Sequence, residues 1–145
     1  MKAAVITAPG KIAIENVEDP TPGVNEVVVE VAAVGICGTD LHIFEGEFAP
    51  KLPIVPGHEM SGTIVAVGTD VLDIKIGDKV AVDPSLHCGE CFYCRRARGN
   101  LCENWNALGV TFPGAAAEFL LSPKKNIHKL PAGIDLKAAA LIEPL

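Results

Sequence analysis

Glu26-Val27-Val28-Val29-Glu30-Val31-Ala32-Ala33-Val34 is the stretch that settles the fold class. Branching at Cβ stiffens a side chain in a helix and suits it to a pleated surface, so this valine-rich run predicts a strand. Pro20-Thr21-Pro22-Gly23 breaks the chain just before it. Further back, Ala3 to Ile6 is a short apolar run ended by Pro9-Gly10, and Lys11 to Val17 alternates apolar and polar side chains. Further on, Pro50, Pro53 and Pro56 punctuate an extended connection. Thr63 to Val67 and Lys79 to Val82 are strands joined by a turn near Gly77-Asp78, and Glu118 to Leu121 is a short strand closed by Pro123. Only Asp135 to Ile142 predicts a helix, with Asp135 as its N-cap. The 145 residues hold 14 glycines and 11 prolines, more than average usage gives. The length suits one domain with its own core, and that domain is mainly β.

Charge and hydropathy exclude several classes of partner. Twelve Lys and Arg stand against 18 Asp and Glu, a formal charge of -6, and no basic stripe interrupts the acidic balance. Neutralising a phosphate backbone needs cations, so nucleic acid is excluded as a partner. No apolar run approaches the ~18 residues of a membrane span, and Met1 to Ile6 is too short for a signal peptide. A cytoplasmic protein is expected. In that compartment five cysteines, an odd number, point to metal or catalysis before disulfides.

Four of them, Cys88, Cys91, Cys94 and Cys102, are spaced C-x2-C-x2-C-x7-C. Zinc prefers four tetrahedral ligands with Zn–S near ~2.3 Å, and four thiolates form a closed structural set. The segment has no clear period and no core of its own, so the metal has to hold it together. Disulfides at these spacings would be strained. An iron–sulfur run would continue with three residues and a Cys-Pro, whereas here seven residues lead to Cys102-Glu103. Arg95, Arg96 and Arg98 are compatible with a zinc ribbon that reads nucleic acid. They suit equally a role beside four thiolates and one zinc ion, whose excess negative charge guanidiniums would stabilise. Structural zinc is the reading adopted.

Cys37 lies apart, in Gly35-Ile36-Cys37-Gly38-Thr39-Asp40-Leu41-His42, and Gly57-His58-Glu59 follows later. One thiol, one imidazole and one carboxylate ringed by glycines make an open zinc site, since catalytic zinc takes three protein ligands and leaves a fourth position free. Cys37 as a small buried hydrophobe and His58 as a structural histidine are the competing readings.

Gly57-His58-Glu59-Met60-Ser61-Gly62, followed by Gly68 and Val71, resembles the signature of the zinc-containing medium-chain alcohol dehydrogenases. The Cys37-Gly38-Thr39-Asp40 turn, the four-cysteine lobe and the terminal Ile142-Glu143-Pro144-Leu145 fall in the order seen in that family, so the resemblance covers the whole chain. It implies a GroES-like catalytic domain over residues 1–145, a partly open β-barrel with few short helices and a zinc-stapled four-cysteine lobe. It also implies Cys37 and His58 as catalytic-zinc ligands. Glu59 would be a direct ligand or a carboxylate just behind the metal, and Glu143 the further ligand position. Asp40 would orient His58 through its other ring nitrogen, Thr39 would accept the alcohol proton, and His42 would relay it toward solvent. His87 and His128 receive no role.

The implied reaction oxidises an alcohol, activated by zinc, with hydride passing to NAD or NADP. No glycine here is followed by another two positions on, so the glycine fingerprint of a Rossmann cofactor domain is absent from these residues. The family carries that domain further along, and the expectation is that these residues are the N-terminal part of a dehydrogenase. The parent is expected to be a homo-oligomer built largely through the absent part. Glu143-Pro144-Leu145, Asp83-Pro84-Ser85 and Asn100 to Asn104 are similar to the sorbitol, arabinitol, butanediol and threonine dehydrogenase branch, which favours secondary alcohols and polyols. Polyol dehydrogenases usually have an aromatic where this chain has Ala116, in Gly114 to Glu118, a loop expected near the cleft. The alternative function is a zinc-stabilised GroES-like binding module without catalysis. The expected behaviour of this chain is to bind zinc but neither NAD(P) nor alcohol productively, and Glu143, near the end of the chain, to be poorly placed as a ligand. Equilibrium dialysis checks the first point, and micromolar NAD binding would overturn it.

Overall fold

The computed structural model describes every residue except Ala49. Strand β1 (Lys2–Ala8) turns at Pro9-Gly10 into β2 (Lys11–Asn16), an antiparallel ribbon whose register runs from Lys2 opposite Asn16 to Ile6 opposite Ile12. Ala3, Val5 and Ile6 of β1 are buried, whereas every residue of β2 is exposed, so its alternation does not mark a buried face.

The valine run is β3 (Glu26–Val34), with the bounds its composition predicts, and it lies inside a five-stranded antiparallel sheet. It pairs on one side with β4 (Met60–Val67) and on the other with β8 (Phe119–Pro123). Strand β4 pairs with β5 (Lys79–Val82), and β5 with β9 (Ile127–Lys129). The order β8-β3-β4-β5-β9 leaves β8 and β9 as edges, so among the described residues the sheet does not close into a barrel. Val27, Val29, Ile64, Val80 and Val82 are at most 1% exposed and form the centre of the core. Pro123 ends β8 opposite Glu26; at a sheet edge its missing N–H costs no ladder bond. Strand β4 begins three residues before its predicted start and runs through Gly62. A Cβ there would stand 2.2 Å from the Glu30 carbonyl, so glycine permits the two strands to approach.

A two-residue ribbon, β6 (Ser85–Leu86) with β7 (Asn106–Ala107), closes the neck of the cysteine lobe. Within the lobe only short 3-10 turns form, at Cys94–Arg96 and Gly99–Leu101.

One helix lies outside the sequence reading: α1 (Gly38–Glu45). Its N-cap is Cys37, outside the usual Ser, Thr, Asp or Asn preference, and only Asp40 and Ile43 are buried, too few for a visible period. Asp40 at the third helical position accepts from the Cys37 N–H at 2.9 Å, and Gly46, at φ 82°, ends the helix. The predicted helix from Asp135 to Ile142 is a single α-helical turn, α2 (Leu136–Ala139), continued by a 3-10 turn over Ala140–Ile142. Asp135 caps it by accepting from the Lys137 N–H at 3.2 Å, and the Ser61 hydroxyl of β4 donates to the Leu136 carbonyl. No helix among the described residues is long and apolar enough to cross a membrane.

Glycine also shapes the ground beneath the site. Gly57 and Gly109 have φ of 92° and 76°, and a Cβ on Gly109 would stand 2.3 Å from the Gly57 carbonyl oxygen. The loop carrying Gly109 and Gly114 therefore lies directly on the segment that presents His58. Gly109→Ala should cost about 3 kcal/mol or more, from the left-handed backbone and the clash together. Gly133→Ala, at φ 87° with nothing within 4 Å, should cost about 1 kcal/mol. Urea unfolding of the two variants checks the difference, and equal losses would contradict the close approach.

Candidate metal centres

The lobe brings its four sulfurs together as the spacing predicts. Sγ atoms of Cys88 and Cys94 are 3.9 Å apart, those of Cys88 and Cys102 are 3.5 Å apart, and all four cysteines are free thiols. A tetrahedron with ~2.3 Å bonds places its sulfurs about 3.8 Å apart, so the cradle fits zinc. Backbone N–H groups of Cys88 and Asn104 donate to Cys102 Sγ at 3.3 Å. Those of Cys91 and Cys94 donate to Cys88 Sγ and Cys91 Sγ at 3.4 and 3.5 Å. These donors take the part assigned above to guanidiniums. Arg95 instead donates through Nε to the Glu90 carbonyl at 2.5 Å, and Arg96 donates to the Phe92 carbonyl while its guanidinium stacks 3.7 Å above the Phe92 ring. Without metal two of the thiols are shifted in opposite directions. The Cys94 N–H draws the Cys91 thiol down to about 6, while desolvation and the neighbouring sulfurs push the Cys94 thiol up to about 12.

The second cluster joins two loops. Cys37 follows β3 and caps α1; His58 and Glu59 lead into β4. A sulfur, an imidazole nitrogen and a carboxylate oxygen from these three lie within 4.8 Å of one another, with His58 and Glu59 buried. Asp40 ties the loops together: Oδ2 accepts from the Cys37 N–H at 2.9 Å, and Oδ1 accepts from the Gly57 N–H at 3.1 Å. Oδ1 also lies 3.5 Å from Nδ1 of His58, which is buried and makes no hydrogen bond among the described residues. The Asp40 carboxylate therefore faces this side of the ring, and Nε2 lies on the other.

The electrostatics agree with that arrangement. Asp40 raises His58 to about 9, against the effect of burial, and Cys37 adds to the rise. The Thr39 N–H, then His58, lower the Cys37 thiol. Burial would raise Asp40, but His58 and the N–H groups of Cys37 and Gly57 outweigh it and hold the carboxyl below its usual range.

A cavity of about 600 Å³ opens in front of the cluster, lined by Thr39, His42, Glu47, Phe48, His58, Pro84, Ser85, Trp105, Ala107, Val110 and Glu143. His58 is the one member of the donor cluster on its wall. Glu59 stays behind, its carboxylate against Gly35, where a Cβ would stand 2.1 Å from Oε2. Glu143 lines the cavity without belonging to the three-donor cluster, and burial first, then Glu59 and Asp83, push its carboxyl up against the pull of His58. The Thr39 hydroxyl is 3.7 Å from Cys37 Sγ. His42 is half exposed, with Nδ1 2.6 Å from Glu47 Oε2. Ala116 lines none of this cavity: its loop stacks behind His58, with the N–H groups of Ala115 and Ala116 donating to the carbonyls of Gly57 and Pro56 at 2.9 Å. The walls Phe48, Trp105 and Val110 escaped sequence reading because none carries a motif, Ser85 was read only within Asp83-Pro84-Ser85, and Glu47 had only its nearness to His42.

The model of the alcohol dehydrogenase GroES-like domain matches residues 23–132. The chain belongs to this family. Two relatives of this domain are a sorbitol dehydrogenase of Halalkalibacterium halodurans, 38% identical over all of this chain, and an L-threonine 3-dehydrogenase of Pyrococcus horikoshii, 42% identical over all of it. In each case the GroES-like domain described here spans 43% of the relative's length. A crystal structure titled as that of a zinc-binding dehydrogenase of Sinorhizobium meliloti, bound to NADP, superposes with a TM-score of 0.93 at 39% identity. That match covers 97% of this chain and 41% of the other.

Zinc and protons compete for His58 in the GroES-like domain. With the imidazole raised to about 9 and the Cys37 thiol also giving up its proton on binding, apparent zinc affinity at this site should rise at least about tenfold per pH unit below about pH 9. Zinc titrations against a chromophoric chelator check this, and a flat profile would remove His58 from the ligand set.

Proposed function

We propose that this domain is the N-terminal catalytic part of a zinc-dependent alcohol or polyol dehydrogenase that oxidises a secondary alcohol to a ketone, with hydride passing to NAD or NADP. The observation that carries the reading is an open donor cluster of Cys37, His58 and Glu59 beside a cavity, together with a separate closed set of four thiolates. Cys88, Cys91, Cys94 and Cys102 would hold one structural zinc. Cys37 and His58 would hold the catalytic one, with Glu59 from behind or Glu143 from the cavity side. When bound, zinc supplies the Lewis acidity that lowers an alcohol's pKa toward neutrality, and the nicotinamide supplies the hydride acceptor that no side chain can provide.

The chain's own residues do the rest. Asp40 holds His58 in place. Thr39, on the cavity wall, takes the alcohol proton, since a hydroxyl donates and accepts at once. His42, half exposed at the same wall, passes it to water. Phe48, Trp105, Ala107 and Val110 offer apolar surface to the substrate's carbon skeleton and exclude water, while Ser85 offers a hydroxyl. The sorbitol and threonine dehydrogenases among the relatives support a small secondary alcohol or polyol as substrate.

The dinucleotide domain would belong to a part of the protein outside these 145 residues, in keeping with relatives more than twice as long. The isolated chain would then bind zinc and oxidise nothing. The parent would be a cytoplasmic homo-oligomer, its thiols kept reduced. A zinc-stabilised binding module is the other reading, and it gives no reason for an open donor set beside a closed one.

Elemental analysis of protein purified without added metal or chelator tests the reading. Close to two zinc ions per chain are expected, falling to about one in Cys37→Ser. One zinc in the wild type, unchanged by that substitution, would leave only the lobe metallated and favour the binding module.

A further inference from the structure

We propose that Glu47 is a positioning residue of the proton path, holding the Nδ1–H of His42 so that Nε2 is the acceptor; this rests on the relay reading above. The backbone builds the contact. Helix α1 ends at Gly46 in the left-handed region, and the next N–H, that of Glu47, donates to the His42 carbonyl at 2.9 Å. The Phe48 N–H donates to the same carbonyl at 3.1 Å. This turn folds the chain back over His42 and brings Glu47 Oε2 to 2.6 Å from its Nδ1.

An ionised carboxylate only accepts, so Nδ1 has to carry the proton. A neutral imidazole has one donor and one acceptor nitrogen, and Nε2 is therefore left with its lone pair. Thr39 and His42 are three residues apart on α1, which places them on one face of the helix, and both line the cavity with Glu47. The proton balance is simple. The hydroxyl of Thr39 gives up its proton as it gains the one from the alcohol, a bridging hydroxyl or water in the cavity carries the charge on to Nε2 of His42, and the exposed imidazolium releases a proton to water. Glu47 changes neither its bonds nor its charge. In the opposite tautomer Nε2 would already carry a proton and could not accept one, and the path would stop.

Glu45 also places a carboxylate oxygen within 4.8 Å of the donor atoms of His42 and Glu47, all three residues being exposed. A divalent cation there would use the same atoms, so the test has to separate the two uses.

The test uses the 15N-labelled chain with zinc bound, reading the two ring nitrogens of His42 by long-range proton–nitrogen correlation at a pH where its own titration shows it neutral. The expected state is Nδ1–H. Glu47→Ala should move His42 to Nε2–H, the tautomer that free imidazole side chains prefer, and Glu47→Gln should keep Nδ1–H because the amide oxygen still accepts. In the longer dehydrogenase, Glu47→Ala should lower kcat about tenfold with KM within about twofold, and Glu47→Gln should restore most of the loss. Nε2–H in the wild type, or no change in Glu47→Ala, would overturn the proposal. So would a third equivalent of zinc that shifts the His42 nitrogens and is lost in Glu47→Ala. The tautomer is read without turnover, so its failure is distinct from failure of the dehydrogenase reading, which shows instead as a missing second zinc, while full kcat in His42→Ala would overturn the relay and this proposal with it.

Discussion

Asp40 carries a charge at 9% exposure, and the functional end of the domain is arranged around the need to satisfy it. A buried carboxylate costs several kcal/mol unless partners replace its water. Here the partners are the N–H of Cys37, the N–H of Gly57 and the imidazole of His58. Each comes from a segment that also presents a donor to the second cluster, so satisfying one charge assembles the site. The same carboxylate starts α1, because its bond to the Cys37 N–H occupies one of the donors that a helix N-terminus leaves open. The helix then sets Thr39 and His42 along the cavity wall.

The two metal centres differ in what holds them. The lobe exposes Phe92, Leu101 and Trp105, between 41% and 57%, and has no packed interior. It is held at the β6–β7 neck and by N–H groups donating to sulfur, around four thiolates spaced to fit one ion. The second cluster is instead built on the core. His58 and Glu59 lead into β4, the neighbour of the buried valines of β3, and glycines at 57, 109 and 114 let the next loop lie directly behind His58. A rigid sheet thus positions one centre, while the other is its own scaffold.

Much of this was legible from residue types and spacing. The valine run, the Lys79 to Val82 strand and the Asp135 cap stand where side-chain branching and capping preference place them. The four cysteines cluster because short x2 spacings confine sulfurs to one neighbourhood wherever the chain goes. The misreadings share a cause in long-range packing. Helix α1 has two buried residues and a cysteine cap, so its local pattern is faint. Arg95 and Arg96 bond to carbonyls, while backbone N–H groups point at the sulfurs. The loop of Ala116 packs on the segment before His58, near the site as expected, while Phe48 and Trp105 line the cavity itself.

Chemistry that depends on donor identity was therefore readable before any coordinates: thiolates at metal spacing and a Gly-His-Glu turn. Direction was not. Which carboxylate faces the cavity and which stands behind the cluster follows from how loops distant in sequence stack on the sheet. Glu59 is pressed against Gly35, while Glu143 reaches the cavity wall through a helical turn fastened to β4 by Ser61. Spacing limits which groups can meet. The direction in which each one points is set by close packing, where a single Cβ at Gly35, Gly62 or Gly109 would already collide.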